Sequence, residues 1–105
     1  MAVVELKESE WREFKNTEYS IIDCYGENCV ACVMLGPIFD AIADEMSGIS
    51  FGRINISFYP EIADEYKVNA MPTLLYFRNG ELVHQSVGSM EREELLENIA
   101  SLLYQ

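Results

Sequence analysis

The sequence predicts an α/β layered fold, a mixed β-sheet with helices on both faces. Three observations point there. Strand-like and helix-like segments alternate through most of the chain. Tyr19 to Tyr25 reads Tyr-Ser-Ile-Ile-Asp-Cys-Tyr, a mostly apolar run suited to a strand covered on both sides. Asn79-Gly80 stands between the last two strand-like runs and is the dipeptide that favours a tight hairpin. Alternation followed by a hairpin requires parallel and antiparallel neighbours in one sheet, with crossover helices packed over it.

The elements follow in order. Val3 to Leu6 reads as a short strand. Glu8 to Lys15 reads as a short helix, with Trp11 and Phe14 three apart on its inner face. After the strand Tyr19 to Tyr25 comes a longer helix, from about Cys29 to Met46. Its apolar positions Met34, Leu35, Ile38, Phe39, Ile42 and Met46 recur at steps of three and four. Pro37 lies inside it and predicts a kink, because proline removes a helical hydrogen bond. Gly48 suits the helix end.

Ile49 to Ile56 is the next strand, and Pro60 at a first-turn position opens a helix to about Tyr66. Thr73 to Phe77 and Leu82 to Val87 form the hairpin arms. Ser89 is placed to cap a last helix to Leu103, with Glu91, Glu93 and Glu94 at its positive end. The count is five strands and four helices.

The chain has 105 residues, 50% of them hydrophobic, which predicts one packed domain over residues 1–105. Seven basic residues against eighteen acidic ones give a formal charge of −11, which repels nucleic acid and anionic membrane alike. Such charge serves solubility and biases the chain toward partners with basic docking faces. The start, Met1-Ala2-Val3-Val4-Glu5-Leu6-Lys7-Glu8, lacks a positive leader before a long apolar run, so no signal peptide is expected. No apolar stretch approaches the roughly 18 residues that span a bilayer. Three cysteines, two of them three apart, are not a secreted disulfide framework. The expectation is a cytoplasmic monomer.

The chemistry centres on Cys29-Val30-Ala31-Cys32, directly after a strand and at the start of the longest helix. Cysteines at i and i+3 on a first helical turn can bring their sulfurs within bonding range. Free amide N–H groups and the helix dipole there favour a thiolate on the first sulfur. The thiolate is the attacking species, so Cys29 is the candidate nucleophile and Cys32, one turn deeper, the resolving thiol. The competing readings are a metal site and inert core thiols. A structural zinc needs four ligands, and only Cys24 and His84 remain to complete one, so no metal is expected.

Asp23 interrupts the run Ile21-Ile22-Asp23-Cys24-Tyr25, where a charge is costly without a task or a partner. Burial there raises a carboxyl toward the range useful for proton transfer near neutral pH, which fits a proton acceptor for Cys32. A purely structural aspartate is the other reading. Cys24, one residue on, points to the opposite face and reads as buried filler. His84 reads as a surface residue of the hairpin. Met71-Pro72-Thr73 puts a proline just before a strand, with cis and trans both open.

Together these stretches resemble the thioredoxin family. The matching residues are Ile22-Asp23, Cys29-Val30-Ala31-Cys32, Gly36-Pro37-Ile38-Phe39-Asp40, Ile42-Ala43-Asp44-Glu45, Arg53-Ile54-Asn55-Ile56, Met71-Pro72-Thr73-Leu74, Phe77-Arg78-Asn79-Gly80 and Val87-Gly88. Their order and spacing span essentially the whole chain. The resemblance implies a thioredoxin fold, a five-stranded mixed sheet flanked by four helices, with Pro72 in cis facing the two sulfurs. It implies protein disulfides as substrates, a reductase of the flavin- or ferredoxin-dependent kind as electron donor, and no bound cofactor beyond a redox-active Cys29–Cys32 disulfide. Asp23 matches the family's buried acid. Arg53 stands where the family usually has a lysine, so an Asp23–Arg53 interaction is expected, direct or through water. The docking surface carries over to Val30, Ala70, Met71, Pro72, Val87 and Gly88, with the Met71 backbone contacting an incoming extended peptide.

The departures are also informative. Val30-Ala31 replaces the family's usual Gly-Pro, and Asn28 replaces the tryptophan before the first cysteine. Neither Val nor Ala donates a hydrogen bond to a thiolate, which leans away from a strong oxidant. The rival readings are an oxidase or isomerase of an exported compartment and a non-catalytic binding module on the same fold.

Overall fold

The computed structural model describes residues 2–104. Its elements are β1 (Val3–Leu6), α1 (Glu8–Phe14), β2 (Tyr19–Tyr25), α2 (Val30–Glu45), β3 (Ser50–Asn55), α3 (Pro60–Tyr66), β4 (Thr73–Arg78), β5 (Glu81–Val87) and α4 (Arg92–Leu103). The five strands form one sheet in the order β1-β3-β2-β4-β5. β1, β3 and β2 run parallel, and β4 and β5 are antiparallel to their neighbours. The mixed sheet expected from the hairpin at the end of the chain is therefore present.

β2 lies at the centre, and its side chains alternate between two cores. Ile21 packs with Phe39 and Ile42 of α2 and with Leu95, Ile99 and Leu102 of α4. Ile22 and Cys24 pack on the other side, with Trp11 of α1 and Ile62 of α3. Leu74 and Tyr76 of β4 join the first core, and Leu75 and Phe77 the second. Helices thus cover both faces, and every β2 side chain between Ser20 and Cys24 is buried. Trp11 anchors the second core through edge-on contacts with Tyr66 and Phe77, at centroid distances of 5.3 and 5.8 Å.

The hairpin has the geometry its sequence asks for. Asn79 and Gly80 both adopt positive φ, at 51° and 84°, matching the twist of the strands they join. Some boundaries differ from expectation. α4 begins at Arg92 with Glu91 before it and has no side-chain cap, so Ser89 does not cap it. The intervening Met90 is instead buried in the first core, which carries the chain past Ser89 before the helix starts. α2 continues across Pro37 and ends at Glu45, with Gly48 (φ 84°) in the turn beyond. Met34, expected on its inner face, is exposed.

α3 ends on Lys67 in the left-handed region, at φ 56° and ψ 42°. A side chain there costs about 1 kcal/mol that glycine avoids, less the extra freedom glycine gives the unfolded chain. Lys67→Gly is expected to raise Tm by a few degrees in calorimetry, equivalent to about 0.5 kcal/mol. A lower Tm would show that the lysine side chain itself holds this turn.

Candidate active site

The site forms where β2 gives way to α2. Asn28 takes φ 55°, a conformation that asparagine tolerates better than most residues, and turns the chain into the helix. Cys29 follows in extended conformation as the N-cap. Its Sγ accepts a hydrogen bond of 3.2 Å from the Cys32 N–H, one of the amides that a helix start leaves without a backbone partner. Cys29 and Cys32 are joined by a disulfide, with Cα atoms 5.3 Å apart. The two sulfurs are unequally placed. Cys32 is only 8% exposed, whereas Cys29 is partly open to solvent. The first turn of α2 carries no acidic side chain, so no carboxylate competes with a thiolate for the helix N-terminus.

A loop from the far side of the sheet closes over the pair. Met71–Pro72 is a cis peptide, and the Met71 carbonyl oxygen lies 3.6 Å from Cys29 Sγ. The loop is tied down on both sides of this bond. Gly88 N–H donates to the Pro72 carbonyl at 2.8 Å, and Thr73 Oγ1 donates to the Ala70 carbonyl at 2.7 Å. Gly26 lets the Met71 side chain lie close, since a Cβ there would strike its sulfur.

Of the docking residues implied by the resemblance, Val30 is 77% and Val87 64% exposed, and Ala70 and Met71 are exposed as well. Pro72 is buried and Gly88 half-buried. The hydrogen bond from Gly88 to Pro72 and the contact of Met71 with Cys29 bring these segments to one edge of the disulfide. Val33 and Met34, three and four residues beyond Val30, add exposed apolar surface. The sequence reading missed this surface. Taking buried Cys32 and Leu35 as the inner face of the first turns would have placed 33 and 34 outside.

Behind the disulfide lies a cavity of about 800 Å³ that both Cys32 and Asp23 line. Asp23 is 2% exposed, and its Oδ1 is enclosed without a hydrogen-bond partner. Burial pushes its carboxyl up to about 7; the Arg53 charge pulls it back in part, while Asp40 and Glu5 push it further. Of the Asp23–Arg53 interaction expected either directly or through water, the direct form is not made. Arg53 Nη2 instead donates to Asp40 Oδ1 on α2 at 2.8 Å. The physical reason is that the Asp40 side chain is half exposed and keeps part of its hydration, whereas a charge on Asp23 is desolvated. Tyr25 donates its hydroxyl to Glu5 Oε2 at 2.7 Å; burial and this carboxylate push the phenol up to about 12.

Cys24 faces the opposite core, unpaired and buried, and burial pushes its thiol well above the ordinary range. His84 is exposed on β5 with its ring 5.0 Å from that of Tyr76. Among the described residues, no three His, Cys, Asp or Glu side chains gather as a metal site would require. None of the described helices is long and apolar enough to cross a membrane.

The family model for thioredoxin matches residues 2–101. The chain belongs to the thioredoxin family. The thioredoxin of Chlamydia caviae is 33% identical to it over 89 residues, 85% of this chain and 87% of that protein. The thioredoxin of Mycoplasma pneumoniae is 30% identical over 87 residues, 83% of this chain and 85% of its own length. Among solved structures, the thioredoxin of Malassezia sympodialis superposes with a TM-score of 0.85 at 26% identity, covering 96% of this chain and 93% of that one. The thioredoxin fold is thus established by sequence and structure together. Thioredoxins reduce protein disulfides and receive their electrons from thioredoxin reductase. With the family's Cys-x-x-Cys pair joined at the start of α2, this chain is a thiol–disulfide oxidoreductase.

Proposed function

We propose that this thioredoxin is a cytoplasmic, monomeric electron carrier, one domain over residues 1–105, in which Cys29 attacks and Cys32 resolves. The observation that carries this reading is the asymmetry of the disulfide. The partly open sulfur sits at the N-cap with an amide donor aimed at it, and the buried one lies a turn deeper. Released as a thiolate, Cys29 attacks one sulfur of a substrate disulfide and expels the other as a thiolate. Cys32 then gives its proton to Asp23 and attacks Cys29 Sγ, forming the Cys29–Cys32 disulfide and expelling the second substrate thiolate. The substrate has gained two electrons and the protein has lost two. The two substrate thiolates take up protons from solvent.

Asp23 is suited to the middle step because it shares the cavity with Cys32 and, raised to about 7 by burial, can both take up and release a proton near neutral pH. Val30, Ala70, Met71, Val87 and Gly88 form the docking surface around the sulfurs, with Pro72 beneath it. An extended peptide beside Met71 would pair with its backbone, as strands do at a sheet edge. The −11 charge disfavours nucleic acid and suits substrates and a reductase with basic faces. The redox group is the disulfide itself, so the reading calls for no bound cofactor and no metal.

Insulin reduction, with dithiothreitol as electron source, tests the assignment. Cys29→Ser is expected to bring turnover to the uncatalysed background, because a serine hydroxyl is not ionised at neutral pH. Substantial turnover by Cys29→Ser would overturn it.

A further inference from the structure

Arg53 and the carboxylate that holds it take no part in the exchange between Cys29, Cys32 and substrate. Asp23 and Arg53 face each other in register on the neighbouring strands β2 and β3. Paired residues on neighbouring strands present their side chains to the same face, and an arginine is long enough to span the gap. Arg53 nevertheless reaches α2. Cys32, Gly36 and Asp40 lie at i, i+4 and i+8, one above another along the helix face that lines the cavity. The Arg53 guanidinium lies along this face, its Nη2 4.0 Å from where a Gly36 Cβ would stand, and pairs with Asp40 at 2.8 Å.

The other groups around the cavity make that choice consequential. Glu5 comes from β1, Tyr25 from β2, Glu27 and Cys29 from the loop before α2, and Cys32 and Asp40 from α2. β4 contributes the apolar Leu74 opposite Asp23. Among the described residues lining the cavity, Arg53 is the one cation. Whichever carboxylate holds it decides whether Asp23 is left without a partner, and Asp23 Oδ1 has none.

We propose that Asp40 is a positioning residue that takes the Arg53 guanidinium onto α2 and so holds it out of ion-pair contact with Asp23, leaving that carboxyl free to accept and release a proton. This rests on the reading of Asp23 as proton acceptor for Cys32. A guanidinium bound to Asp23 would fix the carboxylate in its charged form and blunt it as a base near neutral pH. Bound to Asp40, the same cation stays close enough to moderate the cost of the charge without locking it in place. The pair is partly screened, with side-chain exposures of 22% for Arg53 and 40% for Asp40, so it is more than a solvent-exposed contact.

Asp40→Ala tests this, since alanine is the strongest helix former and the position is partly exposed. Asp23 is titrated by carboxyl ¹³C NMR in the oxidised protein, with Arg53 present and in an Arg53→Gln background. With Arg53 present, Asp40→Ala is expected to weaken proton binding at Asp23 about tenfold or more, as the freed guanidinium turns to it. In the Arg53→Gln background the same substitution is expected to change it less than about threefold, since only the removed charge acts. Equal changes in both backgrounds would make Asp40 a remote charge and overturn the proposal, as would no change in either. The rate at which Cys32 resolves a mixed disulfide, followed against pH, separates this inference from the reading beneath it. If the Asp23 titration moves only with Arg53 present and the rate profile stays in place, Asp40 positions the arginine and Asp23 does not take the Cys32 proton.

Discussion

Asp23→Asn is expected to stabilise the oxidised protein by roughly 4 kcal/mol more at pH 8 than at pH 4. The carboxyl rises from an ordinary 3.8 to about 7 on folding, chiefly because burial disfavours its charge. Across that window the native protein binds more protons at this site than the unfolded chain does. Stability therefore falls as pH rises from about 4 to about 7, and the full penalty is present above it. Asparagine does not titrate, so it escapes the penalty at high pH, and any cost of its buried amide is common to both conditions. Chemical denaturation of both proteins at the two pH values measures the difference directly. The same substitution is expected to slow resolution of a mixed disulfide about a hundredfold near pH 7, at the lower end of what a positioned acid or base contributes. A variant gaining equally at both pH values would show that Asp23 is ionised and compensated in the fold.

Cys32→Ser is expected to convert the carrier into a trap. With Cys29 intact the first exchange still proceeds, and the mixed disulfide forms at one substrate per protein. The attack that would release it needs a thiol a turn below, and Cys32 alone occupies that place. The other free thiol, Cys24, belongs to the opposite core and cannot reach across the sheet. Turnover of insulin should therefore fall to background while adducts accumulate on Cys29, visible as bands lost on reduction. Rapid release of substrate by Cys32→Ser would mean that resolution does not depend on this residue.

Much of the frame was legible in the residues because local and global signals agree. The apolar β2, the Asn79-Gly80 turn and Pro60 at the start of α3 each specify the element that contains them. The site was legible for the same reason. A pair of cysteines at a helix start is a local pattern, and the placement of Cys29 and Cys32 depends on a single turn of chain. Asp23 stood out because a lone acid in an apolar run contradicts its surroundings. What was missed depends on contacts between distant segments. The partner of Arg53 is decided by competition among carboxylates from several elements, and sequence neighbours say nothing of which is solvated. Ser89 carried a good capping signal, but burying Met90 in the core outweighed it. Met34 fits a helical period, yet Cys32 and Leu35 take the inward positions of these turns and leave Met34 exposed.

Disulfide reduction requires Cys29 to be ionised and reachable at the start of α2. A brief pulse of iodoacetamide on the reduced protein, repeated from pH 5 to 10 and read by mass spectrometry, reports which sulfur reacts and at what pH. The prediction is labelling at Cys29 first, with a midpoint at least about one pH unit below the roughly 8.5 of a free thiol, and Cys24 untouched until unfolding. Labelling of Cys32 before Cys29, or a Cys29 midpoint at or above that of a free thiol, would contradict it.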